Sequence, residues 1–185
     1  MVMKDQSELV GMKIITQDAF LLGEVVDIRY DPVAWKVLGL KIRTNKSVTQ
    51  ALNAGSGRSM ILLEPGDFII NDVILLPDDM EGARGSMMAD NESFSSLSYL
   101  STKKVVTSDG VLLGSVDSIS IDLAEWRVVS FKVKLDKSAC PSLDLKKGIF
   151  AKRVTGLLTR HIASVAENIN LVLNVDDVKD TIIVD

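Results

Sequence analysis

The sequence predicts an all-β (mainly) protein assembled from two copies of one small unit. An ungapped internal repeat, short β-branched runs bounded by turn residues, and a shift of apolar alternation at the same place in both copies predict it. Sliding the 185-residue chain by 91 positions places Lys13 to Arg43 on Lys104 to Lys134. Twelve of these 31 positions are identical, among them Thr16, Asp18, Leu21, Leu22, Gly23, Val25, Ile28, Asp31 and Trp35. Chance does not produce that in a gapless window, so the chain is a tandem duplication. Its expected organisation is a first unit over 1–76, a polar linker over 77–98, and a second unit over 99–185 with a C-terminal extension.

Each copy reads as strands. Ile14-Ile15-Thr16 and Val105-Val106-Thr107 are short β-branched runs, followed by turns at Asp18-Ala19 and Asp109-Gly110. In the next strand Leu21, Gly23 and Val25 share a side, yet the next apolar positions, Ile28 and Tyr30, fall three and five residues on. Val116, Ile119 and Ile121 repeat the shift. A side-chain period of two does not allow this without an extra residue. A β-bulge is therefore expected near Val26-Asp27 and Asp117-Ser118, a device that bends a strand round a small barrel. The third strand is expected to point Leu38, Leu40 and Ile42 inward, and Val129, Phe131 and Val133 in the second copy.

Ser47 to Ala54 opens on a capping residue and ends at Gly55, which predicts one or two helical turns. Met60 to Leu63 and Asn71 to Leu76 follow as strands around the polar turn Glu64 to Asp67. Their counterparts, Thr155 to Leu158 and Glu167 to Leu171, come about five residues later than the repeat offset requires. The extra length falls near Cys140-Pro141, as suits a surface insertion. The tail, ending in Ile182-Ile183-Val184, reads as an added strand whose partner the sequence does not identify.

A chain that is 46% hydrophobic, 5% aromatic and 25% charged has a core of Val, Ile and Leu, which excludes disordered, collagenous and disulfide-framework classes. No apolar run approaches the ~20 residues of a membrane helix, and the first residues lack an apolar export core, so a soluble, cytoplasmic protein is expected. One cysteine, Cys140, rules out an internal disulfide and a Cys-based zinc finger. One histidine, His161, would be the base of any triad, and nothing around Cys140 activates it as a nucleophile. A structural cysteine and a surface histidine are the expected roles. With no P-loop and no Gly-x-Gly-x-x-Gly, the expectation is no enzyme, with no catalytic residue, cofactor or metal.

The charge is uneven. Residues 1–92 carry 9 basic and 14 acidic groups, whereas residues 93–185 carry 12 and 11. Between Lys132 and Arg160 eight basic residues, including Lys146, Lys147, Lys152 and Arg153, stand against two acidic ones. These are either solvated strand faces or a steering patch for an acidic protein surface, such as the first unit of another copy. The alternative, an RNA-associated ribosome-assembly role for 132–160, is opposed by the pI near 5.1, by a total of only nine aromatics, and by the lack of an aromatic pair that reads as exposed among the basic residues. Trp35 and Trp126, at one repeat position, either cover a barrel end or anchor a partner. In Phe20-Leu21-Leu22 and Val111-Leu112-Leu113 one residue must point outward, and Leu22 and Leu113 are the expected ones. Ile182 and Ile183 are candidates for strand addition to a partner.

The turn followed by Leu-Leu-Gly-x-Val (Leu21 to Val25; Leu112 to Val116), then Ile-x-x-Asp (Ile28, Asp31; Ile119, Asp122) and the closing Leu-Leu pattern before Val73-Ile74-Leu75-Leu76 resemble the PRC-barrel family. The likeness spans nearly the whole chain, twice. It departs from the family where Ile70-Asn71-Asp72 and Ala166-Glu167-Asn168 stand in place of Val-Gly-Asp. It implies two tandem small PRC-type β-barrels with bulged strands and short helical segments. The two-barrel architecture is similar to archaeal PRC-barrel cell-division proteins. That implies a non-enzymatic adaptor, a homo- or hetero-oligomer partnered by the SepF anchor of FtsZ and a sibling PRC-barrel protein. It would be recruited to the division site through a partner, without inserting in the membrane.

Overall fold

The computed structural model describes residues 2–44, 46–51, 60–88, 90–91, 93–145, 153–181 and 183–184. The first copy carries β1 (Met3–Asp5), α1 (Gln6–Leu9), β2 (Lys13–Ile15), β3 (Leu21–Tyr30), β4 (Val37–Arg43), α2 (Lys46–Ala51), β5 (Met60–Leu63), β6 (Ile69–Ile70), β7 (Ile74–Leu75), α3 (Met80–Gly85) and β8 (Met87–Met88). The second repeats the series as β9 (Ser95–Ser96), α4 (Leu97–Leu100), β10 (Lys104–Val106), β11 (Leu112–Asp122), β12 (Arg127–Leu135), α5 (Ala139–Ser142), β13 (Arg153–Leu158), β14 (Ile162–Val165), β15 (Ile169–Leu171), α6 (Val175–Thr181) and β16 (Ile183–Val184), with a 3-10 turn at Thr159–His161. The protein is mainly β, and its sheets curl. No helix among the described residues is long and apolar enough to cross a membrane.

The chain forms two compact units, one of Gln6–Leu97 and one of Met1–Asp5 with Ser98–Asp185. The first unit's sheet runs β6-β7-β2-β3-β4-β5-β8, with β9 added to β3. The second runs β14-β15-β10-β11-β12-β13-β16, with β1 added to β11. Both paths are open, since no pairing joins their end strands among the described residues. In each, β2 or β10 lies parallel to β7 or β15, and the remaining neighbours are antiparallel. Ile14, Leu22, Val25, Ile28, Leu40, Ile42, Leu63 and Ile74 are buried in the first unit; Val105, Leu113, Ile119, Phe131, Val133 and Ile169 are their counterparts in the second. The expected bulges are present: pairing of β3 with β4 slips between Val25 and Asp27, and that of β11 with β12 between Val116 and Ser118.

Several expectations change. A second slip, between Arg29 and Tyr30, pairs Tyr30 with Val37 and leaves Leu38 as the extra residue. Val37 and Val128 are therefore buried, while Leu38 and Val129 are only half-buried. The segment read as a linker, 77–98, carries α3, β8 and β9. Met87 and Met88 pair with Leu63 and Leu62, so they extend the first sheet. The tail does the same in the second unit: β16 pairs with β13, Val184 opposite Val154 and Ile183 opposite Thr155. Ile183 is thus a strand of its own sheet, and Ile182 lies outside the described residues. Residues 52–54 of the expected helix also lie outside them.

Behind β8, Asp90 fastens the segment leading to β9. Its carboxylate accepts from Arg29 Nε at 3.1 Å and Nη2 at 2.9 Å, and from Lys41 Nζ at 2.9 Å. The Arg29 hydrogen bonds, helped by Lys41, hold the Asp90 carboxyl below the usual range despite partial desolvation. A depressed folded-state pKa contributes stability above the unfolded carboxylate range, and that contribution is lost as pH falls through the folded value. Asp90→Asn is expected to lower stability by about 0.5–1 kcal/mol at neutral pH. In urea unfolding followed across pH, its difference from wild type closes on acidification; a constant difference would contradict this account.

Candidate interaction face

The outward side of the first sheet carries an unbroken apolar row. Leu21 on β3 is the direct neighbour of Ile15 on β2, Ile15 of Leu75 on β7, and Leu75 of Ile69 on β6. Directly paired residues project to the same side of a sheet. This side faces away from the core, for the alternate residues Ile14, Leu22 and Ile74 are fully buried. Leu21 is 46% exposed, Ile69 60%, and Phe20, next to the row, 54%; Ile15 and Leu75 are half-buried between them.

Acidic residues border one end of this row. Ile15 runs into Asp18, Phe20 precedes Leu21, Asp67 precedes Ile69, and Asp78 and Asp79 follow β7, all four carboxylates exposed. The loops are held together by Leu76 N donating to Ile15 O and Gln17 N to Asp78 O, each 2.9 Å. Asp79 caps α3 by accepting from Glu81 N and Gly82 N. The surface is therefore aliphatic with a negative margin.

The second unit has not kept it. Register-equivalent positions are Leu112, Val106, Asn170 and Ser164, and Asn170 Nδ2 donates to Ser164 Oγ at 3.1 Å. A polar pair replaces Leu75 and Ile69, while the core-facing residues of both copies stay apolar. Each copy has an apolar core at equivalent positions, and the two differ on this outer face.

The candidates named from sequence fall differently. Leu22 is 0% exposed and Leu113 1%, so neither forms an outward patch. The reason is a slip in the β2–β3 pairing: Ile14 opposes Gly23 and Ile15 opposes Leu21, which makes Leu22 an extra, inward residue. Trp126 is buried, and Trp35 lays its ring on Tyr30 with centroids 5.6 Å apart. Tyr30 itself is buried, which raises its phenol to about 12. Both tryptophans have positive φ, 57° and 50°. In the first copy Asp31 builds the turn that imposes this, accepting from Val33 N and Ala34 N on Oδ1 and from Trp35 N on its carbonyl. A left-handed non-glycine residue costs about 1–2 kcal/mol, and in the first copy the stacking of Trp35 on Tyr30 offsets part of that cost.

Lys132 is half-buried and Lys134, Lys137 and Arg160 are exposed on the second unit. Lys146, Lys147 and Lys152 lie outside the described residues, and for Arg153 only the backbone, in β13, is described. His161 is buried rather than at the surface, its pKa lowered by burial and by the charge of Arg160. Its Nδ1 accepts from Leu158 N at 3.3 Å. Cys140 is half-buried on α5, its thiol directed at Asp136 O at 3.7 Å. Among the described residues no three His, Cys, Asp or Glu side chains are placed to hold a metal ion.

No protein-family model and no curated protein matches this chain.

Proposed function

We propose that this chain is a non-enzymatic adaptor made of two PRC-type barrels, and that the Leu21–Ile15–Leu75–Ile69 row of its first unit docks a partner protein. The occupant is a partner segment with an apolar face flanked by Lys and Arg, which matches the aliphatic row and its border of Asp18, Asp67, Asp78 and Asp79. The carrying observation is the divergence of the copies: the first keeps four aliphatic residues on an outer face where the second has Asn170 and Ser164. Core packing does not require outward aliphatics, whereas an interface does. The resemblance read from the repeat supplies the partners to try first, the SepF anchor of the archaeal FtsZ division apparatus and a sibling PRC-barrel protein.

Titration of the purified chain with each of these two proteins tests the reading. Ile69→Asp is expected to weaken binding at least tenfold, about 1.4 kcal/mol, with unfolding stability within about 0.5 kcal/mol of wild type. Asn170→Asp, at the equivalent place in the second unit, is expected to leave affinity unchanged. Equal binding by wild type and Ile69→Asp would remove the row from the interface. No binding to either protein would remove the proposed division role.

A further inference from the structure

The two copies exchange a strand. Each copy begins with a strand and a short helix, and the 91-residue offset maps β1 onto β9 and α1 onto α4. Their pairings map as well: Lys4 opposes Ile121 and Asp5 opposes Ser120, as Ser95 opposes Tyr30 and Ser96 opposes Arg29. Yet β1 belongs to the second unit's sheet and β9 to the first's, while α1 belongs to the first unit. No leading strand pairs with the body that follows it in sequence.

This arrangement constrains β1. The edge of its own body that would receive it, Arg29–Tyr30, is filled by β9. Its register with β11 covers three residues, and Leu123 N donates to Val2 O at 2.9 Å and Ser120 Oγ to Asp5 Oδ1 at 2.8 Å. Val2 and Met3 stay exposed, so little apolar surface holds the strand down. The strand ends at Asp5 and α1 starts at Gln6, with no intervening loop. A three-residue strand that buries little apolar surface is released by local opening, and an identical acceptor edge exists on every other copy of the chain.

We infer that a second copy of this chain is the alternative donor to the Ser120–Asp122 edge: two copies trade their β1 strands and form a closed, two-fold dimer. Every contact of β1 is reproduced in the dimer, which is the low-cost route of strand exchange. The donor chemistry is this chain's own, since Asp5 supplies the acceptor for Ser120 Oγ.

The test places a disulfide across the pairing in the full chain. Asp5→Cys with Ser120→Cys, in a Cys140→Ser background, joins two directly opposed antiparallel residues, whose spacing suits a disulfide. The variant is unfolded in urea, refolded at a series of concentrations and oxidised in air, and its mass is read on a non-reducing gel. A dimer-sized product is expected, absent from either single-cysteine variant, and its fraction of the total rises about tenfold for each tenfold increase in concentration while dimer is the minor species. Cross-linked product of monomer mass alone, at every concentration, overturns the inference. So does a wild-type dimer seen by light scattering whose cross-link stays within one chain, because that dimer uses another surface. Should this variant fail to fold, Met3→Cys with Asp122→Cys, the pair two positions along the same strands, gives the same reading.

Discussion

Gly23→Ala and Gly114→Ala are each expected to destabilise the protein by about 3–5 kcal/mol, in the far tail of single substitutions and a large part of the stability of an ordinary domain. A Cβ at Gly23 would lie 2.0 Å from the carbonyl oxygen of Arg43, and one at Gly114 2.0 Å from that of Lys134. The obstacle is backbone in both cases. Relief would move β4 or β12 out of pairing with the strand that carries the glycine, where Glu24 opposes Arg43 and Ser115 opposes Lys134. Both glycines also have φ of +155°, outside the range of ordinary side chains. Gly110→Ala is the control. It has φ of +87° with open space around it, and the first copy already places Ala19 at φ 65° in the equivalent turn. It is expected to cost about 1 kcal/mol or less. Urea unfolding by circular dichroism separates the two classes; similar losses at Gly110 and Gly114 would refute the steric account.

Leu22→Ala is expected to cost about 2–5 kcal/mol, and Leu21→Ala less than about 0.5 kcal/mol. The residues are adjacent and chemically identical, so intrinsic strand preference cannot separate them. Leu22 is wholly buried, and truncating it leaves a cavity in the first unit's core, whereas Leu21 is 46% exposed on the outer row. Equal losses at the two sites would mean that the slip between Ile14 and Ile15 is misplaced. The same pair bears on function, because Leu21→Ala removes apolar surface from the proposed docking row without disturbing the core.

Much of the architecture was legible in the sequence. Twelve identities at one offset require a duplication, and the displaced Ile28 and Ile119 require an extra residue before them, because alternation along a strand is geometric. The turns at Asp18-Ala19 and Asp109-Gly110 are local chemistry: Thr16 Oγ1 accepts from Phe20 N at 3.0 Å, and Thr107 Oγ1 from Val111 N at 2.9 Å. The candidate site was legible only as a hint. Phe20-Leu21-Leu22 announces that some apolar residue faces out, but which one depends on a slip set by the partner strand. The row itself joins Leu21, Ile15, Leu75 and Ile69 across four strands, and no spacing along the chain signals that. Polar composition led 77–98 to be read as a linker, although two of its pairs, Met87-Met88 and Ser95-Ser96, are strands whose partners lie far away in sequence.

By itself, then, the sequence determined the β class, the doubling, the bulged strands and the glycine of Leu-Leu-Gly, because each follows from residue identity, alternation or the conformational limits of one position. Tertiary structure alone decided which leucine of the pair enters the core, where the segment after β7 and the chain's tail are anchored, and that the leading strands change places between the copies. Those outcomes depend on hydrogen bonds between distant backbone segments, and every residue carries the same backbone donor and acceptor whatever its side chain, proline excepted.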